Sequence, residues 1–316
     1  MFIIKSPFRI SLFGGSTDYK DYYSNNGSFI IGATIDKYVY MTIRKMPKMF
    51  TSQSTFTYSE REDVKSFIDI KNPLIREVVN YHSIPFQIEF HTFTDIPSRT
   101  GLGGSSSFCV GMCKSICDLL DIKMSKRELA ERAIHIERHI LNESGGIQDQ
   151  IWAAYGGTNS IEIDRNGKFS VKPLPITVDF KRELENSMLL IYTKEQRITD
   201  AVAISHENKE KDNILNISKE AYDLFLKEDI KNIGRLLYHT WKEKKSISSL
   251  ISNTNIDMII SRCMELGAYG TKLLGSGGCG FILVMCDSHT RKKISDEFEN
   301  KILEFKFESD GVSRII

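Results

Sequence analysis

Three glycine-rich segments of this 316-residue chain carry residue types suited to phosphate chemistry. The first is Pro97-Ser-Arg-Thr-Gly-Leu-Gly-Gly-Ser-Ser-Ser107, which follows a strand-like stretch and leads into an apolar helix expected over Phe108–Leu120. Glycines let a backbone approach an anion closely, and the free N–H groups and positive end of the next helix attract phosphate. Hydroxyls at Ser105 and Ser106 suit a phosphate oxygen or a magnesium ion. No Gly-Lys-Ser/Thr closes the segment, so it is not a Walker A loop; the plainer alternative is a tight turn with serine caps.

The second segment, Pro7-Phe-Arg-Ile-Ser-Leu-Phe-Gly-Gly-Ser-Thr-Asp-Tyr19, sets Arg9 inside an apolar strand. A guanidinium there needs an anionic partner, either a phosphate or a structural carboxylate. Asp18, just past Gly14 and Gly15, can hold a substrate hydroxyl or cap a turn. The third segment, Gly145-Gly-Ile-Gln-Asp-Gln150, places Asp149 between two amides ahead of the apolar run Ile151–Tyr155. A carboxylate in that setting, steadied by an arginine from elsewhere, suits a general base; a helix N-terminal acid is the alternative. Glu137 lies on the preceding helix.

The elements that must position these groups read as α+β. Strand bias is found over Phe2–Phe13, Phe29–Ala33, Tyr38–Arg44 and Phe86–Thr94. Asn72-Pro73 marks a helix start, and the capping-box spacing of Ser125 and Glu128 opens a helix to about Leu141. Pro173 and Pro175 lie in a polar connection, which divides the chain into residues 1–180 and 181–316. Beyond the strand-like Met188–Thr193 the pattern is helical from roughly Thr199 to Leu266. Then come glycines at 275–280, a strand to Cys286, an amphipathic helix and a last short strand. The regular βαβ alternation of a doubly wound sheet is missing.

Composition sets outer bounds. Forty-two basic and 41 acidic residues leave a formal charge of +1, which argues against a nucleic-acid partner but leaves room for a small anion. No apolar stretch reads as a signal peptide or membrane span, and six cysteines in such a chain read as reduced thiols, so a cytoplasmic protein is expected. Cys109, Cys113 and Cys117 recur on the apolar helix, where small buried thiols pack well.

In order and spacing the three segments resemble the signature regions of the GHMP superfamily of kinases, and Gly275-Ser-Gly-Gly-Cys-Gly280 resembles its C-terminal glycine motif. Within it the Arg-Ile-Ser opening, the Gly-Gly-x-Thr-Asp turn, Ala33–Tyr40 and Gln148-Asp-Gln150 are most similar to the D-glycero-D-manno-heptose 7-phosphate kinases. The resemblance implies an N-terminal domain like ribosomal protein S5 domain 2, a ferredoxin-like C-terminal domain, ATP and Mg2+ as cofactors, and a site in the cleft between the domains. It implies that Asp149 deprotonates the sugar hydroxyl and that Arg9 stabilises the developing alkoxide and transferring phosphoryl group. Gly101, Leu102, Gly103, Gly104, Ser105, Ser106 and Ser107 match the ATP loop, and Ser105 and Glu137 the magnesium ligands, with Ser106 an alternative to Ser105. Asp18, with Gly14, Gly15, Thr17 and Gly277, falls on the substrate side. A phosphate already on the sugar would need a further cation, for which Lys37, Arg99 and Lys272 are the unassigned candidates. The acceptor implied is a sugar or sugar phosphate, phosphorylated at the anomeric oxygen; homodimer formation is left open.

Two departures bear on this. Galactokinases have Gly-Glu-His-Thr-Asp where this chain has Gly14-Gly-Ser-Thr-Asp18, and relatives often have serine at the position of Gly104. Gly275–Gly280 also fits G-x-G-x-x-G, but a strand follows it where the dinucleotide fingerprint requires a helix. His135, Glu137 and His139 do not form the H-E-x-x-H zinc motif, and no G-x-S-x-G elbow occurs. A sugar 1-kinase acting on an unphosphorylated sugar such as fucose, a catalytically silent sugar sensor and an isoprenoid-type alcohol kinase are the remaining alternatives; relatives of the last kind usually carry lysine in place of Arg9.

Overall fold

The structure, a computed structural model, describes residues 1–47, 49, 53–194 and 208–316. In chain order its elements begin with β1 (Phe2–Phe13), α1 (Lys20–Asn26), β2 (Ser28–Lys45), β3 (Ser54–Thr57), β4 (Arg61–Val64), α2 (Pro73–His82) and β5 (Ile88–Thr94). Next are α3 (Gly104–Leu119), α4 (Lys126–Ile134), a π-helical turn His135–Ile140, α5 (Gln148–Tyr155), β6 (Thr158–Ile163), β7 (Phe169–Pro173), α6 (Val178–Ser187) and β8 (Met188–Tyr192). The remainder holds α7 (Asn208–Leu226), α8 (Ile230–Ser246), α9 (Thr254–Glu265), β9 (Gly270–Leu273), β10 (Phe281–Met285), α10 (Ser288–Glu297), β11 (Ile302–Leu303), β12 (Phe307–Glu308) and β13 (Ser313–Arg314).

The α+β reading holds. The larger sheet runs β13-β1-β2-β5-β3-β4, with β6 and β12 also on β2 and β7 beyond β6; every pairing is antiparallel except β3 with β5. The smaller sheet, β11-β8-β10-β9, is antiparallel throughout. Two strands expected over Phe29–Ala33 and Tyr38–Arg44 are one 18-residue strand, β2. The polar pair Asp36-Lys37 resembles a turn in sequence, but the ladder continues past it with a register shift between Pro7 and Phe8 on β1. A bulge absorbs such an interruption while keeping the apolar side chains of both strands on the core face.

Local signals set the helix starts. Asn72 accepts from the Ile75 N–H with Pro73 in the first turn, and Ser125 and Glu128 satisfy each other's backbone N–H groups in a complete capping box. Of the helical stretch expected from Thr199 to Leu266, the part over 199–207 lies outside the described residues; the rest is α7, α8 and α9.

The expected boundary at residues 180 and 181 falls within α6, which runs directly into β8. Past β11 the chain returns to the first sheet, where β12 pairs with β2 and β13 with β1. The smaller sheet is apolar on both faces. Phe281, Leu283 and Met285 join a core that also holds Ile10, Phe13 and Trp152, whereas Ile282, Val284 and Cys286 pack with Trp241, Ile256 and Ile260. Because side chains alternate along a strand, a continuous apolar run serves two cores at once. The first of these cores extends across both sheets.

Candidate active site

Arg9 sits near the middle of β1 and points its guanidinium towards α5. Its Nε donates to Asp149 Oδ1 and its Nη2 to Asp149 Oδ2, both at 2.8 Å, while Nη1 donates to the Gly101 carbonyl at 2.7 Å. The arginine side chain is 6% exposed and that of Asp149 23%. A planar fork on a carboxylate is the strong, directional form of ion pair. One arginine therefore ties the acid at 149 to the glycine-rich loop before α3.

That segment is held by backbone as well. The Arg9 N–H donates to the Leu102 carbonyl at 3.0 Å, and the Ser107 hydroxyl donates to Pro7 O at 2.7 Å, fastening the start of α3 to β1. The first intrahelical bond of α3 runs from the Ser107 N–H to Gly103 O, and no side chain caps its N-terminus. The N–H groups of Gly104, Ser105 and Ser106 precede that bond, which leaves a cradle for an anion beside Arg9. Leu102 and Ser107 are buried and support the loop, whereas Ser105 is exposed. Gly103 and Gly104 pass close to the side chains of Arg9 and Phe8.

The C-terminal glycine motif has a mechanical part. Gly101, at φ 81°, lies so close to the second unit that a Cβ would come within 2.6 Å of Leu274 O. A Cβ on Gly275 would overlap Gly101 Cα, and one on Gly280 would overlap Thr100 O. Backbone thus packs directly on backbone, and any side chain here would lever the loop before α3 away from the smaller sheet. Gly277 backs onto Ile251 instead.

Asp18 is 1% exposed and accepts from three donors: the Ser16 N–H at 3.2 Å, the Gln148 N–H at 3.1 Å and Gln148 Nε2 at 3.0 Å. Burial first, and the neighbouring Asp149 charge second, push its carboxyl up to about 6. Gly146 must lack a side chain because its Cβ would overlap Asp18 Oδ2. Thr17 is fully buried and spends its hydroxyl on Gly14 O and Ser28. In the same turn Gly14 backs onto Phe29, and Gly15 faces Ser11 and Gln148.

Glu137 occupies the π-helical turn, 1% exposed. Gln150 Nε2 donates to its Oε2 at 2.6 Å, and the Ser105 hydroxyl donates to its Oε1 at 3.3 Å. Burial pushes this carboxyl up to about 7 against the lowering effect of Arg138, the Gln150 amide and the Ser106 hydroxyl. A π-turn re-aims side chains relative to a regular helix, and such turns recur at functional sites. His135 and His139 are exposed, with the His135 ring tilted against those of Tyr81 and His139. Consecutive helical residues fan out by roughly 100°. The first turn of α5 uses this to reach three partners: Gln148 binds Asp18, Asp149 pairs with Arg9, and Gln150 binds Glu137.

Of the cations considered from sequence, Lys37 pairs with Asp36 at 3.1 Å and, among the described residues, bonds to no member of this cluster. Arg99 is exposed, and its carbonyl accepts from Cys279 Sγ at 3.6 Å. Lys272 is buried, with its Nζ donating to Ser11 O at 3.1 Å and Leu12 O at 2.7 Å. Sequence reasoning missed Lys244 in α8, which is 7% exposed and donates to Gly275 O. Its neighbours Lys242 and Lys245 look the same in sequence, so only burial sets it apart.

Residues 70–157 match the GHMP kinases N terminal domain and residues 221–303 the GHMP kinases C terminal region. A D-glycero-alpha-D-manno-heptose 7-phosphate kinase of Campylobacter jejuni is 30% identical over 334 residues, covering 98% of this chain and 97% of that protein. The chain belongs to the GHMP kinase family. It is a kinase, and the family uses ATP as phosphate donor. Other GHMP relatives include a galactokinase of Pyrococcus furiosus, 25% identical over 331 residues and covering 93% of this chain and 91% of its own. The solved structure of a D-glycero-D-manno-heptose 1-phosphate kinase from Bacteroides thetaiotaomicron superposes with a TM-score of 0.84 at 26% identity, over 100% of this chain and 99% of that one.

Proposed function

We propose that this kinase transfers the γ-phosphoryl group of ATP to the anomeric hydroxyl of a sugar phosphate, D-glycero-D-manno-heptose 7-phosphate, giving the 1,7-bisphosphate. The observation that carries the reading is the Arg9–Asp149 fork bonded to Gly101 of the phosphate loop. It sets a proton acceptor and a cation beside a helix N-terminus free to hold phosphate oxygens. Asp149 takes the proton of the hydroxyl, the oxygen forms the new bond to γ-phosphorus, and the bond to the β-phosphate oxygen breaks to release ADP. Arg9 balances charge that builds on the transferring group. The anomeric hydroxyl is the most acidic on a reducing sugar and so the easiest for a carboxylate to activate. Asp18 receives a further acceptor hydroxyl, since a carboxylate offers about four lone-pair sites and three are filled.

The donor set around Glu137 fits magnesium. It consists of oxygens only, from a buried carboxylate and the adjacent serine hydroxyls. Among the described residues no group of three or more His, Cys, Asp or Glu forms a protein cage for a metal. Magnesium is typically held by one or two protein oxygens plus substrate phosphates. We assign Glu137 and Ser105 as its holders; when bound, the ion neutralises phosphate charge. Burial makes Glu137 costly to ionise alone, and a cation offsets that cost.

The heptose 7-phosphate assignment rests on similarity to the C. jejuni enzyme; the galactokinase likeness keeps an unphosphorylated sugar as the competing acceptor. ADP release and phosphorus NMR on heptose 7-phosphate, unphosphorylated heptose, mannose, fucose and galactose separate the two. The expected product carries its new phosphate on the anomeric oxygen. Preference for any unphosphorylated sugar would overturn the acceptor while leaving a sugar 1-kinase.

A further inference from the structure

Among the described residues four cations are buried, Arg9, Lys211, Lys244 and Lys272, and they differ in what they are bonded to; Lys211 pairs with Asp21. Arg9 is neutralised by Asp149. Lys272 spends its ammonium on two carbonyls of β1, tying β9 to the first sheet. Lys244 has no carboxylate partner among the described residues, and among them its three N–H donors find one acceptor, Gly275 O. A lysine so buried is disfavoured as a cation unless an anion joins it. Its environment bears this out: burial and the Arg9 charge draw its pKa down to about 8, and Asp18 is the group that opposes them.

Position narrows which anion that is. Gly275 abuts Gly101, so Lys244 reaches the cleft from α8 just behind the phosphate loop. α8 packs against β1, the strand that carries Arg9, and against β9, whereas the π-turn that carries Glu137 packs against α2 and α4. On the acceptor reading, the β1 side of the site, with Arg9 and the Asp18 turn that follows it, receives the sugar, while the triphosphate lies over the α3 N-terminus. The γ-phosphoryl group already has the α3 N-terminus and Arg9.

We propose that Lys244 binds the phosphate already carried by the acceptor and thereby selects a phosphorylated sugar over a plain one. This rests on the reading of the acceptor as a sugar phosphate. Lys37 and Arg99 are then not needed for that task. A buried ammonium held in place by Gly275 O also costs the sugar phosphate less ordering on binding than a solvated lysine would.

The test compares wild type with Lys244→Met, and with Lys244→Gln, which keeps a donor for the Gly275 carbonyl; circular dichroism checks folding. The readout is the ratio of kcat/KM for heptose 7-phosphate to that for unphosphorylated heptose, at saturating ATP. Loss of one charge-assisted contact should lower this ratio by about tenfold or more in both variants, with the loss in KM for the phosphorylated acceptor. In nucleotide-free thermal melts, heptose 7-phosphate should raise the Tm of wild type and fail to do so for Lys244→Gln. If wild type discriminates and the variants keep its ratio, the Lys244 assignment is wrong and the acceptor reading stands. If both acceptors lose equally, Lys244 acts on the transferring group and the assignment is again wrong. If wild type itself does not discriminate, the sugar-phosphate reading fails and this one with it.

Discussion

Asp149→Asn keeps the shape of the side chain and removes its capacity to take a proton. In the folded protein the amide oxygen still accepts from Arg9 Nε, but the amide nitrogen now faces Nη2, donor against donor. Stripping a buried ion pair of one partner costs about 3–5 kcal/mol. Here roughly half the fork and the Gly101 bond survive, so a loss of about 2 kcal/mol is expected. Against a typical stability of about 5–15 kcal/mol, essentially all of the protein stays folded at 25 °C. Loss of a general base lowers kcat by roughly 10²–10⁴-fold, or about 2.7–5.4 kcal/mol of barrier. The two effects therefore separate: a structural acid would lower the melting temperature while leaving turnover of folded protein near normal. Single-turnover ADP formation with folded variant, alongside calorimetric ATP titration, reads both. ATP binding should survive, because the N–H groups ahead of Ser107 are untouched. A kcat within about threefold of wild type, in a variant that melts early, would refute the assignment of Asp149 as base.

Other expectations follow from the same geometry. Glu137 is held near 7 against an unfolded value of 4.5, so its protonated form stabilises the folded state below about 4.5, and that contribution is lost as pH rises through about 7. Melting curves without magnesium should thus fall between pH 5 and 8 by an amount equivalent to about 3 kcal/mol, with Asp18 adding in its lower window; Glu137→Gln should flatten the first effect. Magnesium should restore stability at pH 8, and the concentration for half-maximal rate should rise as pH drops below about 7 and in Glu137→Gln; an unchanged titration in the variant would make Glu137 a packing acid. Gly146→Ala forces a methyl into Asp18 and should raise the acceptor KM by about tenfold with little change for ATP, checked by initial rates over both substrates. Gly280→Ala wedges a methyl against Thr100 O and should act oppositely, weakening ATP more than acceptor in the same assay.

Much of this protein was legible in its residues because the decisive signals are local. A glycine run before an apolar helix leaves backbone N–H groups free at the helix start, and Asn72-Pro73 and the Ser125/Glu128 box start helices by bonds within one turn. An arginine inside an apolar strand announces that it needs an anion, and the resemblance supplied Asp149 as a site acid without showing the two joined. Tertiary structure decided what depends on residues far apart. It joined Arg9 to Asp149 across the chain, split Gln148 and Gln150 between two different acids, and continued β2 through Asp36-Lys37 because partners on both sides hold it extended. It also returned β12 and β13 to the first sheet, which no pattern in those short segments specifies. Lys244 is the sharpest case: the four lysines of α8 are equivalent as letters, and only packing against the Gly275 turn takes one of them out of water. Residue type and spacing encode what a side chain can do, but desolvation is a property of everything packed around it, and so was visible only in the fold.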